Sequence, residues 1–202
     1  MAPSPSDIEL LRAEIAAAPA RMIAEDGADY GTAKRKAARQ ILGETRVRGD
    51  ILPDNAQVED EVRLYNELFL ADTQPARLLR LREIALAVMT ELEAFNPFLT
   101  GAVLNGTAGE HSDIHLQLFT HSPKDVEVFL LNRNIGFEVS ETPHFHRRGE
   151  PVETASFMRD GEAVHLALYA YDDLRARKGA DRRNERADIA ALRKIMTGID
   201  TE

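Results

Sequence analysis

The sequence predicts an α+β protein in which a helical N-terminal lobe, residues 1–95, precedes a mixed β-sheet core with flanking helices, residues 96–202. Two observations predict this division. In the first part, apolar residues recur at helical spacing, and glycines and β-branched runs are rare. From Phe98 onward, short apolar or alternating runs of strand type are separated by glycine, proline and aspartate.

The N-terminal lobe begins with two predicted short helices. Ser6 or Asp7 can cap the first, and four apolar residues are expected on one of its faces: Ile8, Leu11, Ile15 and Ala18. Pro19 is expected to start a second short helix that ends near Gly27.

Three longer helices are predicted to complete the lobe. The third lies in DYGTAKRKAARQILG and ends at Gly43. The fourth lies in LPDNAQVEDEVRLYNELFL and the fifth in PARLLRLREIALAVMTELEAF, which ends before Pro97. Both have apolar faces, formed by Val58, Val62, Tyr65, Leu68 and Phe69 in the fourth and by Leu78, Leu81, Ala85, Val88, Met89 and Leu92 in the fifth.

The second half has the predicted order β-β-α-β-β-β followed by a closing helix. FLTGAVL and DIHLQLFT predict two strands, and SPKDVEVFLLNRNIG predicts a helix with a proline start and a glycine exit. FEVSETPHFH, VETASFMRDG and EAVHLALYAYDD predict three more strands. The last two are joined across Asp160-Gly161, a strong hairpin signal. The tail, residues 172–196, returns to a helical pattern.

Composition excludes several classes of site. The chain has no cysteine, so disulfides, thiolate zinc sites and cysteine nucleophiles are excluded. A formal net charge of −9 argues against the whole chain being a strong nucleic-acid binder. No apolar run is long enough for a membrane span, and the first residues lack a signal-peptide pattern. We therefore expect a cytoplasmic protein without a membrane partner.

A glycine and an acidic strand start carry the main functional signal. Thr100-Gly101-Ala102 is followed after ten residues by Asp113-Ile114-His115-Leu116. This pattern resembles the signature of the nucleotidyltransferase superfamily, which has the DNA polymerase β-like fold. The resemblance implies a helix that begins after Gly101 and whose amides hold nucleotide phosphates. The phosphate-binding residues implied by it are Gly101, Ala102, Gly106, Thr107 and Ser112.

The sequence departs from the superfamily pattern at its metal ligands. Ala102 stands where the superfamily usually has serine, His115 replaces the second carboxylate, and His165 stands where the third is expected. Mg²⁺ prefers oxygen ligands, whereas a set of two histidines and one carboxylate suits Mn²⁺ or Zn²⁺ better. Strand alternation predicts that Asp113 and His115 project together into a cleft, with His165 on an adjacent strand and the Gly101 helix opposite.

Three functional interpretations follow from these residues. The first is a protein that binds a nucleotide or another phosphate ligand and has weak or lost transferase activity. The second is an active metal-dependent transferase with Asp113, His115 and His165 as catalytic residues and metal ligands. The histidines can also be hydrogen-bonded filler in a decayed site.

The third interpretation is an interaction module that binds RNA or a partner protein. It rests on a basic cluster in the third predicted helix, formed by Lys34, Arg35, Lys36 and Arg39. A second basic run in the tail, which includes Arg186, is interleaved with acids. A solvated helix face is the alternative for both clusters.

Two further pairs on predicted loops and strand ends carry weaker signals. His144 and His146, two residues apart, could ligate an ion, although a solvated strand end is the alternative. Glu110 and His111 could approach a bound phosphate or base, or could simply be solvated.

Overall fold

The computed structural model describes residues 5–28, 30–43, 52–145, 149–174 and 186–198 and has a mixed α+β architecture, as predicted. The helices are α1 Pro5–Ala24, α2 Tyr30–Leu42, α3 Asn55–Phe69, α4 Gln74–Glu91, α5 Gly101–Asn105, α6 Pro123–Asn132 and α7 Ile189–Thr197. The strands are β1 Phe98–Thr100, β2 Ile114–Thr120, β3 Glu138–Thr142, β4 Val152–Arg159 and β5 Glu162–Ala170. Short 3₁₀ helices follow α4 and β5.

The chain forms two compact units whose limits differ from a single boundary at residue 95. The helical unit comprises Met1–Arg77 together with Gly106–Ser112. The sheet unit comprises Leu78–Asn105 and Asp113–Glu202. Most of α4 therefore belongs with the sheet, and the loop before β2 belongs with the helices.

In the helical unit, α1 packs against α2 and α3. The expected break at Pro19 is wrong, because α1 continues through this residue to Ala24 as one helix. Small residues on α1, among them Ala20, pack against Val58 and Val62 of α3. Ala18, which was expected on the buried face, is exposed.

The end of α2 and the start of α3 are determined by local residues. Gly43, with φ of 66°, follows the end of α2. Asp54 caps α3 by accepting a hydrogen bond from the amide of Gln57, whose side chain accepts from the Asp54 amide in return. Val58 and Val62 are buried as predicted, but the expectation for Leu68 and Phe69 is wrong, since they are 64% and 66% exposed.

The sheet has the strand order β1-β2-β5-β4-β3. β2 and β5 are parallel, and the other neighbouring pairs are antiparallel. Asp160 and Gly161, with φ of 52° and 85°, form the predicted hairpin turn between β4 and β5. The run FLTGAVL, predicted as a strand, divides into β1 and α5, so the helix implied after Gly101 is present.

The two sheet faces differ in character. One face of β2 and β5 is apolar and buried, formed by Ile114, Leu116, Leu118, Val164, Leu166 and Leu168. The opposite face carries the histidines at the start of the strands and aromatic residues at their end, where Phe119 and Tyr169 stack with ring centres 5.5 Å apart. The alternation therefore places the polar residues together on the face away from the apolar core.

The sheet unit contains two further helices, α6 and α7, at the places in the sequence where helices were predicted. α6 follows β2 with Pro123 in its first turn, and it buries Val126 and Leu130. α7 is capped by Asp188, which accepts from the Ala191 amide, and buries Leu192. The first part of the predicted tail helix, residues 175–185, lies outside the described residues.

None of the helices in the described part of the chain combines the length and the apolar character that a membrane-spanning helix needs.

A carboxyl pair between β4 and α6 leads to a stability prediction. A side-chain hydrogen bond with Glu127 raises the pKa of Glu153 above its usual value. Partial desolvation of the Glu153 carboxyl group and repulsion from the charge of Glu127 act in the same direction. The folded state therefore holds this proton more strongly than the unfolded state, so the contribution to stability is present at low pH and is lost as pH rises through the raised pKa.

We expect Glu153→Gln to raise the melting temperature by about 1 to 3 °C at pH 7, and we expect the gain to vanish near pH 4. The Gln side chain can donate a hydrogen bond to Glu127 and removes the like charge that repels it. Thermal melts of both proteins across this pH range measure the difference. Glu138→Gln, on β3, controls for the change in net charge, and an equal gain in that variant would refute the explanation.

Candidate metal site on the polar sheet face

Two histidines lie side by side on neighbouring strands. His115 and His165 are direct partners in the parallel pairing of β2 with β5. Their rings stack with centres 4.9 Å apart. Because the neighbours of each histidine along its strand are buried on the apolar face, both rings project from the polar face.

An aspartate completes the group. Asp113 directly precedes β2, and its Oδ2 lies 3.2 Å from Nε2 of His165. One ligand atom from each of Asp113, His115 and His165 lies within 4.8 Å of the other two. Donors on one ion with bonds of about 2 Å are at most about 4 Å apart, so small side-chain rotations bring all three into range.

The protonation of His115 favours a ligand role. The side chain of His115 is exposed to the cleft, and the ring of His165 stacks against its ring. Partial desolvation and the neighbouring His165 lower the pKa of His115, although Asp113 opposes the shift. A lowered pKa leaves the imidazole neutral at neutral pH, with a free electron pair for a metal ion.

The histidines line a cleft of about 510 Å³ on the polar face. Its floor includes hydroxyl side chains from three strands, and Thr100 and Gly101 lie at the junction of β1 and α5. A Cβ atom on Gly101 would be 4.0 Å from Cδ2 of His115. The φ of Gly101 is 72°, a conformation that glycine adopts without strain, so the backbone requires glycine here whether or not a ligand binds.

The five residues expected to bind phosphate do not lie in one unit. Gly101 and the half-buried Ala102 belong to the sheet unit, whereas Gly106, Thr107 and Ser112 belong to the helical unit. In the helical unit these groups have internal partners. Thr107 is 2% exposed, and its hydroxyl hydrogen-bonds to the hydroxyl of Tyr30 at 3.1 Å.

Gly106 and Ser112 also form hydrogen bonds within the helical unit. The carbonyl of Gly106 accepts a hydrogen bond from Gln74, and Oγ of Ser112 accepts from the Gly109 amide. Glu110 and His111 are exposed on this loop, where the carbonyl of Glu110 accepts a hydrogen bond from Arg77. The loop is therefore held by side chains of α2 and α4 and by one contact of its own, and the spacing of its glycines did not indicate these contacts.

His144 has a structural environment instead of a solvated one. Its side chain is 9% exposed, and Nε2 lies 3.4 Å from Oδ2 of Asp173. Its ring meets that of Tyr169 edge to face at 5.1 Å. His146 lies outside the described residues.

The basic cluster on α2 divides into two kinds of residue. Lys34 donates to the carbonyl of Pro53 and to Oδ1 of Asn55, so it ties α2 to the start of α3. Arg35, Lys36 and Arg39 are exposed, and binding of RNA or a protein there stays a prediction.

Arg186, which the tail pattern grouped with the basic run, has a packing role. Its guanidinium lies 4.5 Å from the ring centre of Phe98 and 4.6 Å from that of Phe119. The next residue, Ala187, exchanges two backbone hydrogen bonds with Leu99 at the edge of the sheet.

Sequence reasoning missed Ser156, whose Oγ lies 2.8 Å from Nδ1 of His165. Ser156 is the partner of His165 in the antiparallel pairing of β4 with β5. Counting back from the Asp160-Gly161 turn would have paired these two positions, so the hairpin signal contained this contact.

The sequence matches no protein-family model and no curated protein.

Proposed function

We propose that this chain is a nucleotidyltransferase-fold protein that binds a divalent transition-metal ion through Asp113, His115 and His165 and holds a nucleotide or another phosphate ligand beside it. The observation that carries the proposal is the convergence of three ligand atoms within 4.8 Å of one another. Both histidines line a cleft large enough for a small molecule, and Asp113 lies against His165.

The donor set fits such an ion. Two imidazole nitrogens and one carboxylate suit Mn²⁺, Zn²⁺ and related ions better than Mg²⁺, which requires oxygen donors. Three protein ligands also leave coordination positions for a phosphate oxygen or water. A bound divalent ion supplies positive charge that offsets the charge of a phosphate group.

The protein residues contribute orientation and charge. Asp113 contributes the negative charge of the set, and in the metal-free protein the hydrogen bond between Asp113 and His165 holds both side chains towards the same point. His115 binds as a neutral imidazole because its lowered pKa keeps it unprotonated. Thr100 and Gly101 border the cleft beside His115, where a phosphate ligand can meet polar groups and an exposed backbone.

Calorimetric titration tests the proposal in two stages. Zn²⁺ and Mn²⁺ should bind the metal-free protein with one-to-one stoichiometry, and Mg²⁺ should bind far more weakly. ATP, CTP or UTP should then bind more tightly to the metal-loaded protein than to the metal-free protein. Absence of metal binding, or nucleotide affinity that does not change with metal, would refute it. Incubation with labelled nucleotides shows separately whether transfer occurs.

A further inference from the structure

Ser156 forms the third member of a hydrogen-bonded chain that runs through His165. Its Oγ lies 2.8 Å from Nδ1, and Oδ2 of Asp113 lies 3.2 Å from Nε2 on the other side of the ring. Both ring nitrogens of His165 therefore have a partner. The side chain of His165 is 27% exposed, which leaves it accessible from the cleft.

We infer that Ser156 is a positioning residue that fixes the ring orientation and the tautomer of His165 for metal binding, an inference that rests on the proposed function. The two residues face each other across β4 and β5. Paired positions in an antiparallel sheet project to the same face, so the serine reaches the ring without any loop movement.

The hydroxyl suits this role because it both donates and accepts a hydrogen bond. An ionised carboxylate only accepts hydrogen bonds, so in the metal-free protein the contact to Asp113 assigns the hydrogen to Nε2 and leaves Nδ1 to accept from the hydroxyl of Ser156. When Nε2 binds a metal ion it loses its hydrogen, so Nδ1 carries the proton and donates it to Oγ of Ser156. The same contact at 2.8 Å therefore serves both states, and the imidazole keeps its orientation.

Removal of the hydroxyl should weaken the metal site. We expect Ser156→Ala to lower the affinity for Zn²⁺ about 10- to 100-fold, the usual range for loss of a hydrogen bond to a ligating histidine. Ser140→Ala removes a hydroxyl from the same cleft, on β3, and should leave the affinity unchanged. Calorimetry measures both affinities.

A second pair of variants separates the hydroxyl from packing. In Ser156→Thr and Ser156→Val the new side chains have almost the same shape, and both residue types are favoured in strands. Threonine keeps the hydroxyl, so it should retain the affinity within a few fold, and valine should lose it as alanine does. The visible absorption spectrum of bound Co²⁺ should match the wild type in the threonine variant and change in the valine variant.

The outcomes distinguish the inference from the proposed function. Failure of the wild-type protein to bind Zn²⁺ would overturn both. Zn²⁺ binding by the wild type that survives equally in Ser156→Ala and Ser156→Val would overturn the inference alone. Equal losses in the threonine and valine variants, or in Ser140→Ala, would also overturn it, because the effect would then not depend on the hydrogen bond to His165.

Discussion

His165→Ala should lower the affinity for Zn²⁺ and Mn²⁺ by about 100-fold or more. This loss exceeds the effect expected when a ligating histidine only loses its hydrogen-bond partner. His165 supplies a nitrogen ligand, and its ring also holds Asp113 through the hydrogen bond at 3.2 Å. The variant therefore loses one ligand and, in the metal-free protein, the contact that places Asp113 beside it.

The protein offers a matched control for this substitution. His121 follows β2, is exposed, and stacks on Tyr171 with ring centres 4.6 Å apart. His121→Ala removes the same side chain from the same unit and should leave the affinity unchanged. Calorimetry of both variants, with circular dichroism to verify folding, measures the effect. Retention of full affinity by a folded His165→Ala variant would show that the metal does not bind at these residues.

The element order was predictable because its signals are local. Apolar spacing identified α3 and α4, and Asp160-Gly161 identified the hairpin, since a tight turn with positive φ at both positions is specified by the two residues themselves. Pro19 shows where local reasoning fails. A proline removes one helical hydrogen bond, but packing of α1 against α2 and α3 outweighs this cost and keeps the helix continuous.

The site was predictable in part. Alternation along a strand placed Asp113 and His115 on one side, but it could not establish that β2 and β5 pair in parallel with His115 opposite His165. Register depends on contacts between strands far apart in sequence. The burial of Thr107 depends on Tyr30 in another helix, and the role of Lys34 depends on Pro53 and Asn55, so neither could be derived from its own motif.

The substitution His115→Asp should convert the metal preference of the site towards Mg²⁺. Residue 115 projects from the same side of β2 as Asp113, so an aspartate there would create the paired carboxylates that the superfamily pattern contains. Mg²⁺ prefers oxygen ligands, and an added negative charge near the ion strengthens its binding. We expect the Mg²⁺ affinity to rise on the order of 10-fold or more, and the Zn²⁺ affinity to fall because one imidazole is lost.

His115→Asn is the matched control because it has the shape of aspartate and one carbonyl oxygen, without the charge. In the metal-free Asp variant the two carboxylates repel each other, so Mg²⁺ should raise its melting temperature more than that of the wild type or the Asn variant. Calorimetry and thermal melts with and without Mg²⁺ measure both effects. Equal responses of the Asp and Asn variants would show that position 115 does not face a bound ion. A gain confined to the Asp variant, together with labelled-nucleotide transfer that depends on Mg²⁺, would show that this sheet supports transferase chemistry when positions 113 and 115 both carry carboxylates.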